Sequence, residues 1–460
     1  MFSGPPVGVV AEVLVDRTGL GDVVDDIEII GWWLWHILSL GNCELSTFNR
    51  RLAGRYGRGV TPAIDLDSIR AARTVIAGVA KHTPVVSSLT LSSDIGGDVL
   101  LKAENLQRTG SFKIRGAMNK VASLGDDAHR GVTTGSAGNH GQALAFAAQH
   151  FGVPCEIVVP VGAPITKIEA CRNYGASVVE RGAGLKEAVA FSKVHAEESS
   201  MTFCSPFDDP AIVAGQGTLG LELVEDIQDL RTVVIPLGGG GLTSGTAIAV
   251  KSILPDVRII GVQAAVCAPY LGAAVPEGPV LTLADGIAVK YPGEITGPLV
   301  RSWVDEIVTV DEGAIADAMV LLMDQAKLYA EGAGAAGVAA LISGAVTPSE
   351  SGTTCVVVSG GNVDLGVVPG LIRRHENQAG RRLAIFARID DRPGGLAKLL
   401  TVFADGGADL IEVEHVREGL DLHVRETGIH ATFEVRSREQ AETIVESARA
   451  AGYEIDIDAN

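Results

Sequence analysis

The sequence predicts an α/β protein in which open parallel sheets are followed by a smaller β-α-β-β-α-β unit. Three observations carry this. From about Ala63, short Val/Ile-rich runs alternate with Ala-rich stretches of helix length. CEIVVP (155–160), ASVVE (176–180), TVVIPL (232–237), VRIIGVQ (257–263) and TTCVVVS (353–359) are such runs. Unbroken apolar runs of this length suit parallel strands buried on both faces. Near residue 376 the texture changes: HENQAGRR (375–382) is polar and reads as a linker. After it come LAIFARID, a helix from DRPGGLAKLLTVFADGG, IEVEHVR, GIHATFEVR, a helix from SREQAETIVESARAAG, and YEIDI, in ferredoxin-like order. Finally, 460 residues are too many for one compact core, so two or three domains are expected.

Composition narrows the function. Hydrophobic residues make up 47% and charged residues 20%, an ordinary globular balance. A formal charge of −19 disfavours phosphate backbones and anionic surfaces, so neither nucleic acid nor membrane is an expected partner. Six scattered cysteines without a CxxC pair suit a reducing, cytoplasmic location and argue against a zinc site or a disulfide scaffold; no metal is expected. GWWLWHILSLG (31–41) is too short to span a bilayer and follows acidic residues rather than the basic flank of a signal peptide. Residues 1–60 therefore read as an extension with no assigned chemistry.

The glycines come next. GGGGLTSG (238–245) follows a strand and opens a helix, so several backbone N–H groups and the positive helix end can face one anion, most plausibly a phosphate. A dinucleotide fold matches poorly: Thr243 stands where GxGxxG needs glycine, and the next strand ends in Gln263 rather than Asp or Glu. A turn needed only for close helix–strand packing remains the plain alternative. Two further strand ends are polar: Ser136, Asn139 and His140 before one helix, and Ser359 with Asn362 after TTCVVVS. Ligands collect at such carboxyl ends of strands, although local Asn and Ser hydrogen bonds also explain them.

TGSFKIRGAMNK (109–120) places Lys113 at a helix start, with Ser111 in the capping position. The positive helix end and desolvation beside Phe112 both lower a lysine pKa, and a neutral amine condenses with an aldehyde. Phosphate cradle, lysine nucleophile and polar loops together describe pyridoxal phosphate chemistry.

The chain resembles the threonine dehydratase (threonine ammonia-lyase) family, pyridoxal-phosphate enzymes of the tryptophan-synthase-β fold type. The resemblance rests on LKAENLQRTGSFKIRGA (101–117), SAGNHGQ (136–142), GGGGL (238–242), LADGIAVKYPGE (283–294), EGAGAAG (331–337) and SGGN (359–362). It implies two open α/β subdomains over residues 61–375, a linker at 376–381 and an ACT-like regulatory domain over 382–460. Lys113 then holds the cofactor aldehyde and later takes the substrate α-proton. Phe112 flanks it. The backbone of Gly238, Gly239, Gly240, Gly241 and Leu242 forms the phosphate cup. Asn139 meets the phenolic oxygen, Ser359 the pyridine nitrogen, and Glu331 faces the ring. Ser136, Ala137, Gly138 and His140 hold the substrate carboxylate, Ser136 also being a catalytic candidate.

The implied reaction is elimination of water from L-threonine to give 2-oxobutanoate and ammonia, with L-serine giving pyruvate. Ala137, where related racemases carry a second serine, weakens a racemase reading, and Gln263, where they carry a metal-binding Glu, makes a cation site doubtful. Another hydroxy-amino-acid ammonia-lyase, or a non-catalytic amino-acid sensor, are the alternatives. In the ACT-like unit, Arg392, Gly394, Gly395 and Asp409 are the candidate effector residues for an amino acid, with Asp409 where many ACT domains have Asn. A homo-oligomer, dimer or tetramer, is expected.

Overall fold

The computed structural model describes residues 64–417, 423 and 425–457. The extension 1–60, including the apolar stretch 31–41, lies outside the described residues. The described chain builds three sheets. In the first, β1 (Val85–Ser87), β2 (Val99–Ala103), β7 (Leu230–Pro236), β8 (Arg258–Ala264), β9 (Glu306–Val310) and β10 (Thr353–Val358) lie in the order β1-β2-β10-β7-β8-β9. All neighbours are parallel except β1, which pairs antiparallel with β2. The second sheet is wholly parallel: β3 (Val132–Gly135), β4 (Cys155–Val159), β5 (Ser177–Glu180) and β6 (Thr202–Phe203), in the order β5-β4-β3-β6.

The buried apolar runs behave as expected. Every residue of β10 is buried, as is every residue of β7 but Arg231. Helix Gly332–Ile342 (GAGAAGVAALI) is apolar all round, and it is buried along Gly332–Leu341 against the large sheet. Among the described residues, no helix is long and apolar enough to cross a membrane.

One helix links the two parallel sheets to the site. Helix Pro210–Asp226 packs on both Lys113–Ala122 and Gly241–Ile253. The contact is close because Gly215 has no side chain: a Cβ there would lie 2.6 Å from the Arg115 carbonyl oxygen and from Gly116 Cα. Gln216 Oε1 accepts from the Gly116 N–H at 3.2 Å, and Asn119 Nδ2 donates to the Ala211 carbonyl at 2.8 Å. The helix carrying the lysine and the helix opening at the glycine turn thus share one rigid partner.

The C-terminal residues form the third sheet, from β11 (Arg382–Asp390), β12 (Asp409–Val416), β13 (Glu426–Glu434) and β14 (Glu454–Ile457). It is antiparallel in the order β12-β13-β11-β14, with helices Gly395–Asp405 and Arg438–Ala450 between strands, a ferredoxin-like arrangement. The polar stretch read as a linker is shorter than its composition suggests. Helix Val368–Gln378 continues through HENQ, leaving only Ala379, Gly380 and Arg381 between helix and strand. The helix buries Leu371 and keeps its polar face in solvent, so polarity there marks an amphipathic helix end.

Candidate active site

The site gathers at the carboxyl ends of β3, β7 and β10. Lys113 is the first residue of its helix, and the cap position is held by Phe112, not Ser111; Ser111 instead bridges to Gly360. The reason is a neighbouring strand end: the Phe112 N–H donates to the Ser359 carbonyl at 3.1 Å, drawing the segment onto the end of β10. Lys113 is half-buried, its Nζ donates to the Pro206 carbonyl at 2.8 Å, and it lies 5.1 Å from the Phe112 ring centre. Desolvation lowers its pKa to about 8, against the pull of the Glu331 carboxylate. About a tenth of the amine is therefore neutral at pH 7, far more than for an ordinary lysine.

Phe207, next to the carbonyl that Lys113 holds, packs on the glycine turn. A Cβ on Gly239 would fall 2.2 Å from the Phe207 ring, and Gly240 sits at φ +91°, open to glycine at low cost. Gly238, Gly239, Gly240, Gly241 and Leu242 are all buried, yet none of their N–H groups donates to an acceptor among the described residues. Buried backbone donors are almost always paired, so five converging at a helix start form a site for an anion. Behind the turn, Thr296 Oγ1 and Tyr270 Oη donate to the Gly239 carbonyl at 2.6 and 3.4 Å. Gln263 accepts from the Tyr270 N–H at 3.2 Å, so its amide supports the turn from behind. Among the described residues, no group of three or more His, Cys, Asp or Glu could hold a metal ion.

The remaining candidates join the same neighbourhood. Asn139 Nδ2 donates to Glu331 Oε1 at 2.6 Å, and Asn139 Oδ1 accepts from Asn362 Nδ2 at 2.7 Å. The Glu331 N–H donates to the Gly360 carbonyl at 3.1 Å. Burial raises the Glu331 pKa to about 7, with Asp285 adding to the rise and Asn139, Lys167 and Lys113 opposing it. The Ser359 side chain is buried, and its hydroxyl has no hydrogen-bond partner among the described residues. Ser136 Oγ accepts from the Gly138 N–H at 3.3 Å at the start of helix Asn139–Phe151.

The His140 ring is engaged within the protein, leaving its backbone N–H at the helix start. Its Nε2 bonds the Cys204 carbonyl at 3.0 Å, and burial with nearby Lys113 drops its pKa to about 3. The ring is a neutral prop inside the small sheet, so a carboxylate at this helix start meets backbone N–H groups and the helix dipole rather than an imidazolium. Arg392, Gly394, Gly395 and Asp409 lie far along the chain at the first turn of the C-terminal unit and at the start of β12, apart from this site.

Sequence reasoning missed Phe207, Thr296 and Asp285 as parts of the site, whereas Asn362, read as part of a polar strand end, meets Asn139. SPFDDP (205–210) was the legible signal. Asp209 caps helix Pro210–Asp226, and Asp208 accepts from the N–H groups of Glu294, Ile295 and Thr296 at 2.9–3.0 Å.

Unpartnered buried N–H donors, a desolvated lysine beside them and an unpartnered hydroxyl fit a phosphorylated aldehyde with a ring nitrogen. The fold and site define a pyridoxal-phosphate enzyme of the open α/β kind. A family model described as "Pyridoxal-phosphate dependent enzyme" matches residues 76–360, and the chain belongs to that family. It is 42% identical over 401 residues to an L-threonine ammonia-lyase of Thermotoga maritima, covering 86% of this chain and 99% of the relative. It is also 42% identical over 325 residues to "L-threonine dehydratase catabolic TdcB" of Staphylococcus aureus, covering 69% and 94%. Among solved structures, maize serine racemase matches at 36% identity and TM-score 0.64, covering 69% of this chain and 99% of that one. The processed form of threonine deaminase isoform 2 from Solanum lycopersicum matches at 33% and 0.62, covering 67% and 86%.

A substitution tests the glycine turn directly. Gly239→Ala forces a methyl into the Phe207 ring, so the turn must shift and its N–H groups lose their convergence. Cofactor retention is expected to fall by at least about tenfold, which takes only about 1.4 kcal/mol. Absorbance of the bound cofactor after dialysis measures it; unchanged retention removes the turn from the phosphate site.

Proposed function

We propose that this protein deaminates L-threonine to 2-oxobutanoate and ammonia with pyridoxal phosphate, and L-serine to pyruvate as a second substrate. The observation that carries the reading is the 42% identity, over 99% of its length, to a relative named L-threonine ammonia-lyase. When bound, pyridoxal phosphate supplies an aldehyde for the substrate amine and an electron sink for the pair left by the departing α-proton. The chain's own groups do the rest. Gly238, Gly239, Gly240, Gly241 and Leu242 would hold the phosphate through their unpaired N–H groups. Lys113 Nζ, poised near neutral pH, takes the α-proton. The backbone N–H groups of Ala137, Asn139 and His140, which no described acceptor takes, would hold the substrate carboxylate, while the Ser136 N–H is spent on the Val158 carbonyl. Ser359 would offer the ring nitrogen a neutral hydroxyl rather than a carboxylate. The α-proton and β-hydroxyl leave as water, and water then hydrolyses the released product to the 2-oxo acid and ammonia.

The test is 2-oxo acid release from L-threonine, L-serine and 3-hydroxyaspartate, with chiral chromatography of residual serine. Threonine turnover with little D-serine is expected, because the Ala137 methyl has no proton to give to the far face of the substrate. D-serine accumulating as fast as pyruvate refutes this assignment and favours a racemase.

The pH dependence of the cofactor-free protein follows from Glu331 and Lys113. Glu331 binds its proton more tightly folded than unfolded, so stability falls as pH rises from the ordinary carboxylate value of 4.5 to about 7. Lys113 has the opposite imbalance, so stability rises again between about 8 and 10.5. Each group contributes a slope of at most about 1.4 kcal/mol per pH unit. His140, held at about 3 when folded, opposes Glu331 up to pH 6.5, so the lower limb is read as the difference between parent and Glu331→Gln in urea unfolding across pH, while the upper limb remains in both. No difference between the two assigns the lower limb elsewhere.

We further read residues 61–375 as catalytic and 382–460 as an ACT-like regulatory unit that pairs across subunits of a cytoplasmic homo-oligomer. Support comes from the ferredoxin-like strand order and from Gly394, at φ +87°, capping helix Gly395–Asp405 ahead of Asp409. Isoleucine or valine is expected to bind and change threonine turnover in the full chain but not in one lacking residues 381–460. Calorimetry without heat for either ligand leaves the unit a structural module.

A further inference from the structure

The chain carries 56 acidic and 37 basic residues, yet one cavity of about 870 Å³ is lined by four arginines and a single carboxylate. It lies between helix Val368–Gln378, the last of the parallel-sheet region, and the C-terminal unit. Arg373 and Arg374 come from that helix, Arg382 from the start of β11, Arg438 from the first turn of helix Arg438–Ala450, and Glu442 from the turn after it. Arg374 is paired with Asp317. The guanidiniums of Arg373, Arg382 and Arg438 have neither a hydrogen bond nor an ion pair among the described residues. Nearby arginines behave otherwise: Arg381 pairs with Glu376, and Arg388 with Glu454 and Asp456. Asn377, which also lines the cavity, has a buried Oδ1 without a partner.

Arg373 and Arg438 are exposed and Arg382 is half-buried, so three guanidiniums without a partner in the chain line one cavity beside the buried, unpartnered Asn377 Oδ1. We propose that this cavity binds a small organic phosphate, held between the two regions of the chain by Arg373, Arg382 and Arg438. The planar guanidinium fork matches phosphate oxygens two at a time. A phosphate monoester brings a charge of about −1.5 to −2, whereas a monocarboxylate leaves guanidiniums unmatched. The volume lies within the usual range for small-molecule sites and exceeds the needs of one inorganic phosphate. Asn377 Oδ1 can accept from a hydroxyl or amino group on the organic part. Because Ala379, Gly380 and Arg381 are the whole connection between helix and strand, an occupant bridges both sides of this short connection.

The experiment uses the full-length, cofactor-loaded protein and inorganic pyrophosphate as probe, by calorimetry at low and moderate salt. One pyrophosphate per chain is expected, with affinity falling as salt rises. Arg382→Gln with Arg438→Gln should weaken binding at least tenfold, and Arg438→Gln alone by a smaller factor. Arg70→Gln with Arg130→Gln removes equal charge elsewhere and should leave binding unchanged. No heat with pyrophosphate, an equal loss in the control pair, or tighter binding of citrate than of pyrophosphate each overturns the proposal. The readout is binding, not turnover, so it stands or falls apart from the assignment of threonine as substrate.

Discussion

Lys113→Ala lowers threonine turnover by about 10³-fold or more while leaving the fold intact. A positioned general base contributes about 10² to 10⁴-fold, and in the proposed mechanism this lysine is also the covalent tie to the cofactor, so both functions would vanish together. Stability argues in the opposite direction. The ammonium is half-desolvated and its pKa is lowered to about 8, so its charge is a cost to the folded state at neutral pH. Lys113→Met therefore unfolds at equal or higher urea than the parent in cofactor-free form. Lys113→Arg is as inactive as Lys113→Ala, because a guanidinium cannot be deprotonated. Steady-state assays, urea titration and borohydride reduction with peptide mapping check these outcomes. A Lys113→Ala enzyme retaining a tenth of the parent rate, or a reduced adduct mapped to another lysine, would falsify the assignment.

Arg115→Leu costs about 3–5 kcal/mol of stability, the range for removing one partner from a buried ion network. Arg115 is fully buried two residues beyond Lys113. It donates to both Glu104 oxygens at 2.7 and 2.8 Å and to both Glu222 oxygens at 2.6 and 2.9 Å. Lys102, also fully buried, reaches Glu222 at 2.8 Å and Asp226 at 3.1 Å. Leucine in place of the guanidinium strands the fully buried Glu104, whose proton affinity is held below the ordinary carboxylate value chiefly by Arg115 against burial. In the parent, that depressed value contributes stability present above about pH 4.5 and lost as pH falls below it. The variant loses this contribution. Arg115→Lys fails nearly as badly, since a point charge cannot meet two carboxylates in a plane. Urea unfolding at pH 7 and pH 4 measures both effects. A loss under about 1 kcal/mol at pH 7 shows that the network is not an electrostatic keystone of the lysine helix.

Much of the fold was legible because its signals are local. The runs CEIVVP, TVVIPL and TTCVVVS became β4, β7 and β10 within a residue or two, since apolar β-branched runs of that length fit a sheet covered on both faces. GGGGL announced a helix start with spare donors, and the structure leaves those donors unpaired. Two readings failed where a distant contact outweighed the local signal. Ser111 has a capping side chain, but the Ser359 carbonyl takes the Phe112 N–H and moves the cap by one residue. HENQ reads as a linker from polarity, but Leu371 anchors the helix that contains it.

By itself, the sequence determined the order of strands and helices, the glycine turn and the chemical kinds of group at three strand ends. These depend on propensities and spacings within a dozen residues. Only the tertiary structure decided which groups meet. It set Asn139 against Glu331, turned the His140 ring toward Cys204, seated Phe207 over Gly239 and placed Lys113 beside Pro206. It also decided protonation: desolvation, which no local pattern records, brings Lys113 down to about 8 and Glu331 up to about 7. The physical reason is that burial and charge pairing join residues remote in sequence, as Asn139 and Glu331 are at a separation of 192.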